Sequence, residues 1–260
     1  MDRSNLSRSG TAALLYGIAS YGVFLGVFVY AVGFIGGFLT PTRLDGTPGR
    51  PFWQALAIDL SLLGVFAVQH SVMARPAFKR WWTRFVPEAV ERSTYVLLSS
   101  LALVALFIWW QPIGAIVWNV PPGLPRGSVI TLYLFGWALL LYTTFLIDHF
   151  DLFGLKQVWR RLKGHAYQPP QFYTPSLYKI VRHPLYVGWL TIFWAAPTMT
   201  VAHLVFALAT TAYILIAIQL EEHDLVNAFG DRYVSYRRRT PMLIPRLSLR
   251  RAAQRTAAKA

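Results

Sequence analysis

Six apolar runs without a single lysine or arginine constrain this chain more than any other feature of its sequence. They cover residues 11–39, 52–74, 95–118, 129–147, 184–198 and 201–220. A helix of about 20 residues crosses the roughly 30 Å hydrocarbon layer of a membrane. We therefore expect an all-α fold, a polytopic membrane helix bundle with five to six transmembrane helices. The number stays open because the fifth run is short, and Pro197 predicts a tight hairpin between the last two runs.

The composition supports a membrane protein and excludes several kinds of chemistry. Hydrophobic residues make up 55% of the chain and charged residues 14%, yet the net charge is +14. The basic residues flank the apolar runs, so we expect membrane lipids as partners and no nucleic acid. The chain has no cysteine, which excludes disulfides, cysteine-ligated metals and a thiol nucleophile. The six histidines form no convincing ligand pair, so we expect no metal.

The distribution of basic residues predicts the orientation in the membrane. Six crossings place both termini on one side, which then receives 22 of the 25 lysines and arginines. The other side receives Arg43, Arg50 and Arg126 in two short loops, residues 40–51 and 119–127. Because basic loops stay in the cytoplasm, we expect both termini to be cytoplasmic. Residues 1–260 form a single membrane domain in this prediction, with a basic and mobile tail over residues 248–260.

Two polar clusters lie at the cytoplasmic ends of apolar runs. Gln69 and His70 end the second run, where they either bond to neighbouring helices or line a substrate site. Asp148, His149 and Asp151 follow the fourth run. A carboxylate beside an imidazole can accept a proton, so these three residues are catalytic candidates. The alternative is that they anchor the loop to arginines.

A third cluster belongs to the last hairpin. Arg182 and His183 precede Pro184, a residue suited to the first turn of a helix, and Glu221 and Glu222 end the sixth run. In an antiparallel hairpin these four side chains lie at the same end of the two helices. Adjacent helical residues point about 100° apart, so the two carboxylates have different partners. One can pair with an arginine while the other binds a cationic ligand; a purely structural ion-pair cluster is the alternative.

Gly230 is predicted to end the last helix and is followed by Tyr233 and Tyr236. Together with Arg182-His183-Pro184-x-Tyr186-x-Gly188 and Glu221-Glu222, this pattern resembles the integral-membrane methyltransferases related to isoprenylcysteine carboxyl methyltransferase. The resemblance implies S-adenosyl-L-methionine as methyl donor, without a metal, in a cytoplasmic pocket formed by residues 178–247. The cofactor-binding residues that it implies are Arg182, His183, Tyr186, Glu221, Glu222, Tyr233 and Tyr236.

The segment Gln69-His70-Ser71 and the loop 148–159 extend the similarity to the bacterial methanethiol S-methyltransferases, over residues 14–247. This resemblance implies methylation of a small thiol, methanethiol, to dimethyl sulfide, in the bacterial cytoplasmic membrane. Two alternatives stay open. One is a related methyltransferase that acts on a larger thiol, a prenylcysteine or a lipid. The other is a non-catalytic membrane transporter or ligand-binding protein.

Overall fold

The computed structural model describes residues 3–168 and 171–246, so the predicted basic tail lies outside the described residues. The helices and strands follow one another as α1 (Arg3–Gly36), α2 (Phe52–Ala74), α3 (Pro76–Trp82), α4 (Glu88–Trp109), β1 (Ile116–Asn119), α5 (Leu124–Leu146), α6 (His149–Leu152), α7 (Leu155–Leu162), a 3-10 turn (Ser176–Lys179), α8 (Pro184–Trp194), β2 (Thr198–Thr200), α9 (Val201–Phe229) and α10 (Asp231–Arg239).

Within the described residues, five helices are long and apolar enough to cross a membrane: residues Ser9–Gly36 of α1, and the whole of α2, α4, α5 and α9. Their outward faces carry exposed large apolar side chains, such as Val65, Leu134 and Ile216. A surface of this kind is stable against lipid and unstable against water. The predicted all-α polytopic bundle is therefore confirmed, and α2 has the bounds expected from the sequence.

The fifth apolar run has two parts, a short helix and a non-helical segment that leads into α9. Helix α8 has 11 residues, which is about 16 Å and too short to span the hydrocarbon alone. Residues 195–200 continue without helical structure and add up to about 20 Å before α9 begins. Ala195, Ala196 and Met199 are buried there. Burial in protein is the condition under which non-helical backbone is tolerated at membrane depth.

The prediction that the third run is helical to residue 118 is wrong. Helix α4 ends at Trp109, because Pro112 and Gly114 follow and disfavour helix. The chain then forms β1, which pairs antiparallel with β2 through Asn119 and Thr198. Helix α5 begins at Leu124, earlier than expected, so the predicted loop 119–127 consists of the end of β1, a short turn and the first turn of α5.

Close packing of α5 against α8 fixes the position of the last hairpin. A Cβ atom added to Gly136 would lie 2.9 Å from the side chain of Ile192, and one added to Gly188 would lie 3.1 Å from the backbone nitrogen of Leu140. The absence of a side chain at both positions favours this close approach of two helix backbones. The N-terminus of α8, where the predicted site residues begin, is therefore held against the end of α5.

Candidate active site

Glu222 is the buried centre of the cluster at the base of the α8–α9 hairpin. Its Oε1 atom accepts a hydrogen bond of 2.7 Å from Nε of Arg182 and lies 3.0 Å from Nε2 of His183. The guanidinium of Arg182 also donates to the backbone oxygens of Thr240 and Arg237, at 2.7 and 3.1 Å. A buried carboxylate is stable only when it is paired in this way. Glu222 is thus the carboxylate that pairs with an arginine.

Glu221 has a different environment although it is the adjacent residue. Its side chain is 44% exposed, accepts a hydrogen bond of 3.1 Å from the hydroxyl of Tyr186 and lies 3.9 Å from Nδ1 of His183. No lysine or arginine in residues 3–168 and 171–246 forms an ion pair with it. Glu221 therefore keeps an available negative charge beside a tyrosine, which suits a cationic or hydroxyl-bearing ligand.

The C-terminal segment is bound directly to the start of α8. The backbone N–H of Arg182 donates to the oxygen of Pro241 at 2.8 Å, and that of His183 donates to the oxygen of Met242 at 3.2 Å. His183 caps α8, and Pro184 occupies its first turn as predicted. These bonds hold residues 240–242 over the carboxylate pair and orient the imidazole between the two glutamates.

An aromatic wall stands beside Glu222. Phe172 packs against the rings of Tyr233 and Tyr236 at centroid distances of 5.8 and 5.7 Å. The hydroxyl of Tyr236 donates to the backbone oxygen of Tyr178 at 2.5 Å, and burial raises the pKa of Tyr236 to about 12. The tyrosine is therefore a neutral hydrogen-bond donor at physiological pH. Phe172 is a member that sequence reasoning missed, because it lies in a loop without a pattern.

Gln69 and His70 lie at the same end of the bundle, on α2. His70 contacts α4 through its two ring nitrogens: Nε2 lies 2.9 Å from the Tyr95 hydroxyl and Nδ1 lies 3.2 Å from Oγ of Ser99. Gln69 donates to the sulfur of Met73 at 3.1 Å, while its buried Oε1 atom has no hydrogen-bond partner among the described residues. The interhelical bonding expected of His70 is present, and Gln69 retains a free acceptor.

The end of α2 adjoins the end of α9. Arg75 forms an ion pair of 2.8 Å with Asp224, and Ser71 donates to the hydroxyl of Tyr213 at 3.2 Å. Tyr213 precedes Glu221 by about two helical turns and so shares its face of α9. These contacts bring the Gln69 and His70 region to the helix that carries the carboxylate pair.

The two carboxylates of the loop after α5 have structural partners. Asp148 binds Lys156 and accepts the backbone N–H of Asp151. Burial disfavours the charge of Asp148, but these two hydrogen bonds outweigh it and hold the pKa of Asp148 below its usual range. Asp151 accepts hydrogen bonds from Tyr167 at 3.0 Å and from Gln157 at 3.3 Å. Both residues therefore anchor the loop, although through lysine, tyrosine and glutamine instead of arginine.

His149 is the third member of this loop cluster and lies between two hydroxyl groups. The Nε2 atom is 2.7 Å from the hydroxyl of Tyr21, and Nδ1 is 2.8 Å from Oγ1 of Thr144. The ring stacks on Phe145 at 4.4 Å. Burial lowers the pKa of His149, so its imidazole is neutral at physiological pH and able to accept a proton. Tyr21 and Thr144 were not predicted, because no sequence signal separates them from other residues of apolar helices.

No group of three histidine, aspartate or glutamate side chains in the described part of the chain is arranged to hold a metal ion. The chemistry that the two clusters offer is binding of a cationic ligand at Glu221 and proton transfer at His149.

Comparison with known proteins identifies close relatives. The chain is 54% identical over 242 residues to methanethiol S-methyltransferase of Crocosphaera subtropica, covering 93% of this chain and 95% of the relative. It is 50% identical over 232 residues to the methanethiol S-methyltransferase of Mycobacterium tuberculosis, covering 89% and 95%. Nurim of Rattus norvegicus is 34% identical over 186 residues, covering 68% and 70%. No family model and no solved structure matches. The chain belongs to the methanethiol S-methyltransferase family.

Proposed function

We propose that this protein transfers the methyl group of S-adenosyl-L-methionine to methanethiol, releasing dimethyl sulfide and S-adenosyl-L-homocysteine. The names and high identity of the two bacterial relatives support the acceptor. The single structural observation that carries the proposal is the division of the carboxylate pair, in which Glu222 is neutralised and Glu221 is available.

The residues at the base of the α8–α9 hairpin fit S-adenosyl-L-methionine. The carboxylate of Glu221 carries the available negative charge and accepts a hydrogen bond from the hydroxyl of Tyr186. This pair of groups suits the ammonium or the ribose hydroxyls of the cofactor. Glu222, Arg182 and His183 hold the pocket in shape. Aromatic faces attract a sulfonium through cation–π interaction, and this is the role assigned to the wall formed by Tyr233 and Tyr236. The bound cofactor supplies an electrophilic methyl group.

The thiol is proposed to bind on the α2 side of the pocket, next to Gln69 and His70. The Oε1 atom of Gln69, which has no partner among the described residues, is an available polar group on this side. A sulfonium and a thiolate become neutral products, so an environment drier than water favours the reaction when both reactants are aligned. Among Asp148, His149 and Asp151, we assign proton acceptance to His149, because the carboxylates already hold the loop.

The proposed location is the bacterial cytoplasmic membrane, with both termini in the cytoplasm. The end of the bundle that carries Glu221 then faces the cytoplasm, where S-adenosyl-L-methionine is made. This orientation rests on the 22 basic residues assigned to that side.

The test uses the full-length chain purified in detergent. Calorimetry measures binding of S-adenosyl-L-methionine, and headspace gas chromatography measures dimethyl sulfide released from methanethiol. We expect binding and dimethyl sulfide together. Binding without turnover of methanethiol, but with methylation of a prenylated cysteine or a lipid, would replace the proposed acceptor. Absence of binding would refute the methyltransferase proposal and favour a transporter or ligand-binding protein.

A further inference from the structure

Three hydrogen bonds form a chain from Tyr21 through His149 and Thr144 to Leu141. The hydroxyl of Thr144 donates to the backbone oxygen of Leu141 at 2.7 Å, so its own proton is already used. Oγ1 of Thr144 can therefore only accept from Nδ1 of His149, which lies 2.8 Å away. In the neutral imidazole Nε2 is then the acceptor, and the hydroxyl of Tyr21, at 2.7 Å, donates to it. This pattern of hydrogen bonds favours the tautomer with the proton on Nδ1 and makes Tyr21 the donor to Nε2.

The surroundings of this chain of bonds are aromatic. The imidazole contacts the rings of Phe145, Phe150 and Phe153 at centroid distances of 4.4, 5.4 and 4.8 Å. The nearest acidic groups in its own loop have other partners: Asp148 binds Lys156, and Asp151 accepts from Tyr167 and Gln157. No ion pair reaches the ring within the described residues. Burial among these rings, which lowers the pKa of the His149 imidazole, is thus the main influence on its proton affinity.

Tyr21 is the least buried of the three side chains in this chain of hydrogen bonds. His149 is 3% exposed, whereas Tyr21 is only partly buried. The ring of Tyr21 contacts Phe24 and Phe153 at 5.9 and 6.2 Å. Phe24 and Phe153 pack in one cluster with Met73 and Tyr95. Met73 and Tyr95 are the residues that hydrogen-bond to Gln69 and His70, so Tyr21 and the proposed thiol side border the same aromatic cluster.

We infer that the hydroxyl oxygen of Tyr21 takes the proton of the thiol substrate while Tyr21 passes its own proton to Nε2 of His149. The inference rests on the proposed function and names the residue that contacts the acceptor. The thiol sulfur keeps the electron pair of its S–H bond and forms the new S–CH₃ bond. The bond between the methyl group and the donor sulfur breaks, and its electron pair stays on that sulfur. The proton remains on His149 until it returns to water through Tyr21.

Each side chain in this chain of hydrogen bonds has a distinct role. Tyr21 is the catalytic residue, His149 holds the proton, and Thr144 is a positioning residue that fixes the tautomer. The three side chains come from α1, the start of α6 and α5. Proton transfer from Tyr21 to His149 across a contact of 2.7 Å needs no rearrangement of the helices.

The test compares Tyr21→Phe with the parent and with Tyr16→Phe as a matched control. Both variants keep the aromatic ring, and Tyr16 lies on the same helix with a hydroxyl bond of 3.0 Å to Thr94. We expect both to bind S-adenosyl-L-methionine like the parent. Methanethiol turnover by Tyr21→Phe should fall by about 10² to 10⁴ at neutral pH. It should then rise by about tenfold per pH unit as the free thiol ionises. The control should follow the parent profile.

Methaneselenol is the second acceptor in the same experiment, because this isosteric selenol is far more acidic and is already ionised at neutral pH. Tyr21→Phe should methylate it at a rate close to that of the parent. A parental rate and pH profile with methanethiol, or an equal loss with both acceptors, would overturn the assignment of Tyr21. If the parent itself neither binds the cofactor nor releases dimethyl sulfide, the proposed function has failed as well.

Thr144 gives an independent test that leaves Tyr21 and His149 in place. Thr144→Val removes the acceptor that fixes Nδ1–H, so methanethiol turnover should fall while cofactor binding is retained. Thr144→Ser restores the hydroxyl and should restore the rate. Equal turnover by Thr144→Val, Thr144→Ser and the parent would contradict the directed chain of bonds.

Discussion

The Nε2 atom of His183 lies 3.0 Å from Oε1 of Glu222, although 39 residues separate the two along the chain. This contact joins the start of α8 to the C-terminal part of α9 and fixes the position of one helix along the other. It also assigns different tasks to the adjacent glutamates, since the buried one is occupied by His183 and Arg182. The exposed one, Glu221, has no lysine or arginine partner among the described residues.

The first prediction separates the two glutamates. Glu221→Gln removes the available charge, so binding of S-adenosyl-L-methionine should weaken by about 1.5 to 3 kcal/mol, the typical contribution of a charged hydrogen bond. Stability should change little, because Glu221 is 44% exposed. Calorimetry measures the affinity, and Glu88→Gln, an exposed glutamate at the start of α4, is the control. Unchanged affinity in folded Glu221→Gln would remove this residue from the cofactor site.

The second prediction concerns Glu222. Glu222→Gln leaves the buried guanidinium of Arg182 without its counter-charge, so the protein should lose about 3 kcal/mol of stability. Thermal unfolding in detergent measures this loss, with Glu221→Gln as the adjacent control. A parental melting temperature for Glu222→Gln would show that the pair contributes nothing measurable.

The sequence predicts that the start of α8 lies beside the end of α9. It does not predict the strand pairing between β1 and β2. Two apolar runs around Pro197 require an antiparallel return, which brings Arg182 and His183 to the carboxylates. The third run is a different case. Hydropathy alone does not distinguish an apolar helix from an apolar strand, and pairing of β1 with β2 is a contact between residues about 80 apart in sequence.

The candidate base illustrates the same limit. Asp148, His149 and Asp151 were selected because carboxylates stand beside an imidazole, but the structure directs the carboxylates to Lys156 and Tyr167. One partner of His149 is Tyr21, which lies 128 residues earlier in the sequence. A tyrosine in an apolar helix is common at membrane interfaces, so only the folded chain shows which hydroxyl meets the imidazole.

The third prediction is a loss of stability in acid. Burial lowers the pKa of His149 in the folded state, so the unfolded chain binds the proton more strongly. The stability of the folded protein that depends on a neutral His149 is therefore fully present above the ordinary histidine pKa of about 6.5. It is lost as the pH falls below that value. Melting temperatures measured from pH 8 to pH 5 should fall less for His149→Gln than for the parent. The exposed His165→Gln should behave like the parent; identical slopes for all three proteins would contradict the prediction.

The fourth prediction is the topology. The 22 basic residues assigned to one side predict that a reporter fused after Ala260 stays in the cytoplasm, while one inserted within residues 40–51 is exported. Paired phosphatase and fluorescent fusions at both positions measure this. Export of the C-terminal reporter would contradict six crossings, and with them the assignment of the two-part segment 184–200 as the fifth crossing.

The last prediction concerns the choice of acceptor. Methanethiol has two non-hydrogen atoms, and even the best small ligands gain about 1.5 kcal/mol per atom, so its dissociation constant should be on the order of millimolar or weaker. Selectivity must then come from exclusion of larger thiols by the aromatic cluster of Phe24, Phe153 and Tyr95. We expect turnover to decline from methanethiol to longer alkyl thiols and to be absent with a prenylated cysteine. Phe24→Ala opens the cluster and should raise turnover of the longer thiols relative to methanethiol, measured by gas chromatography of the sulfide products. Equal turnover of methanethiol and a prenylated cysteine by the parent would show that the pocket opens to the bilayer and that a large acceptor is the natural one.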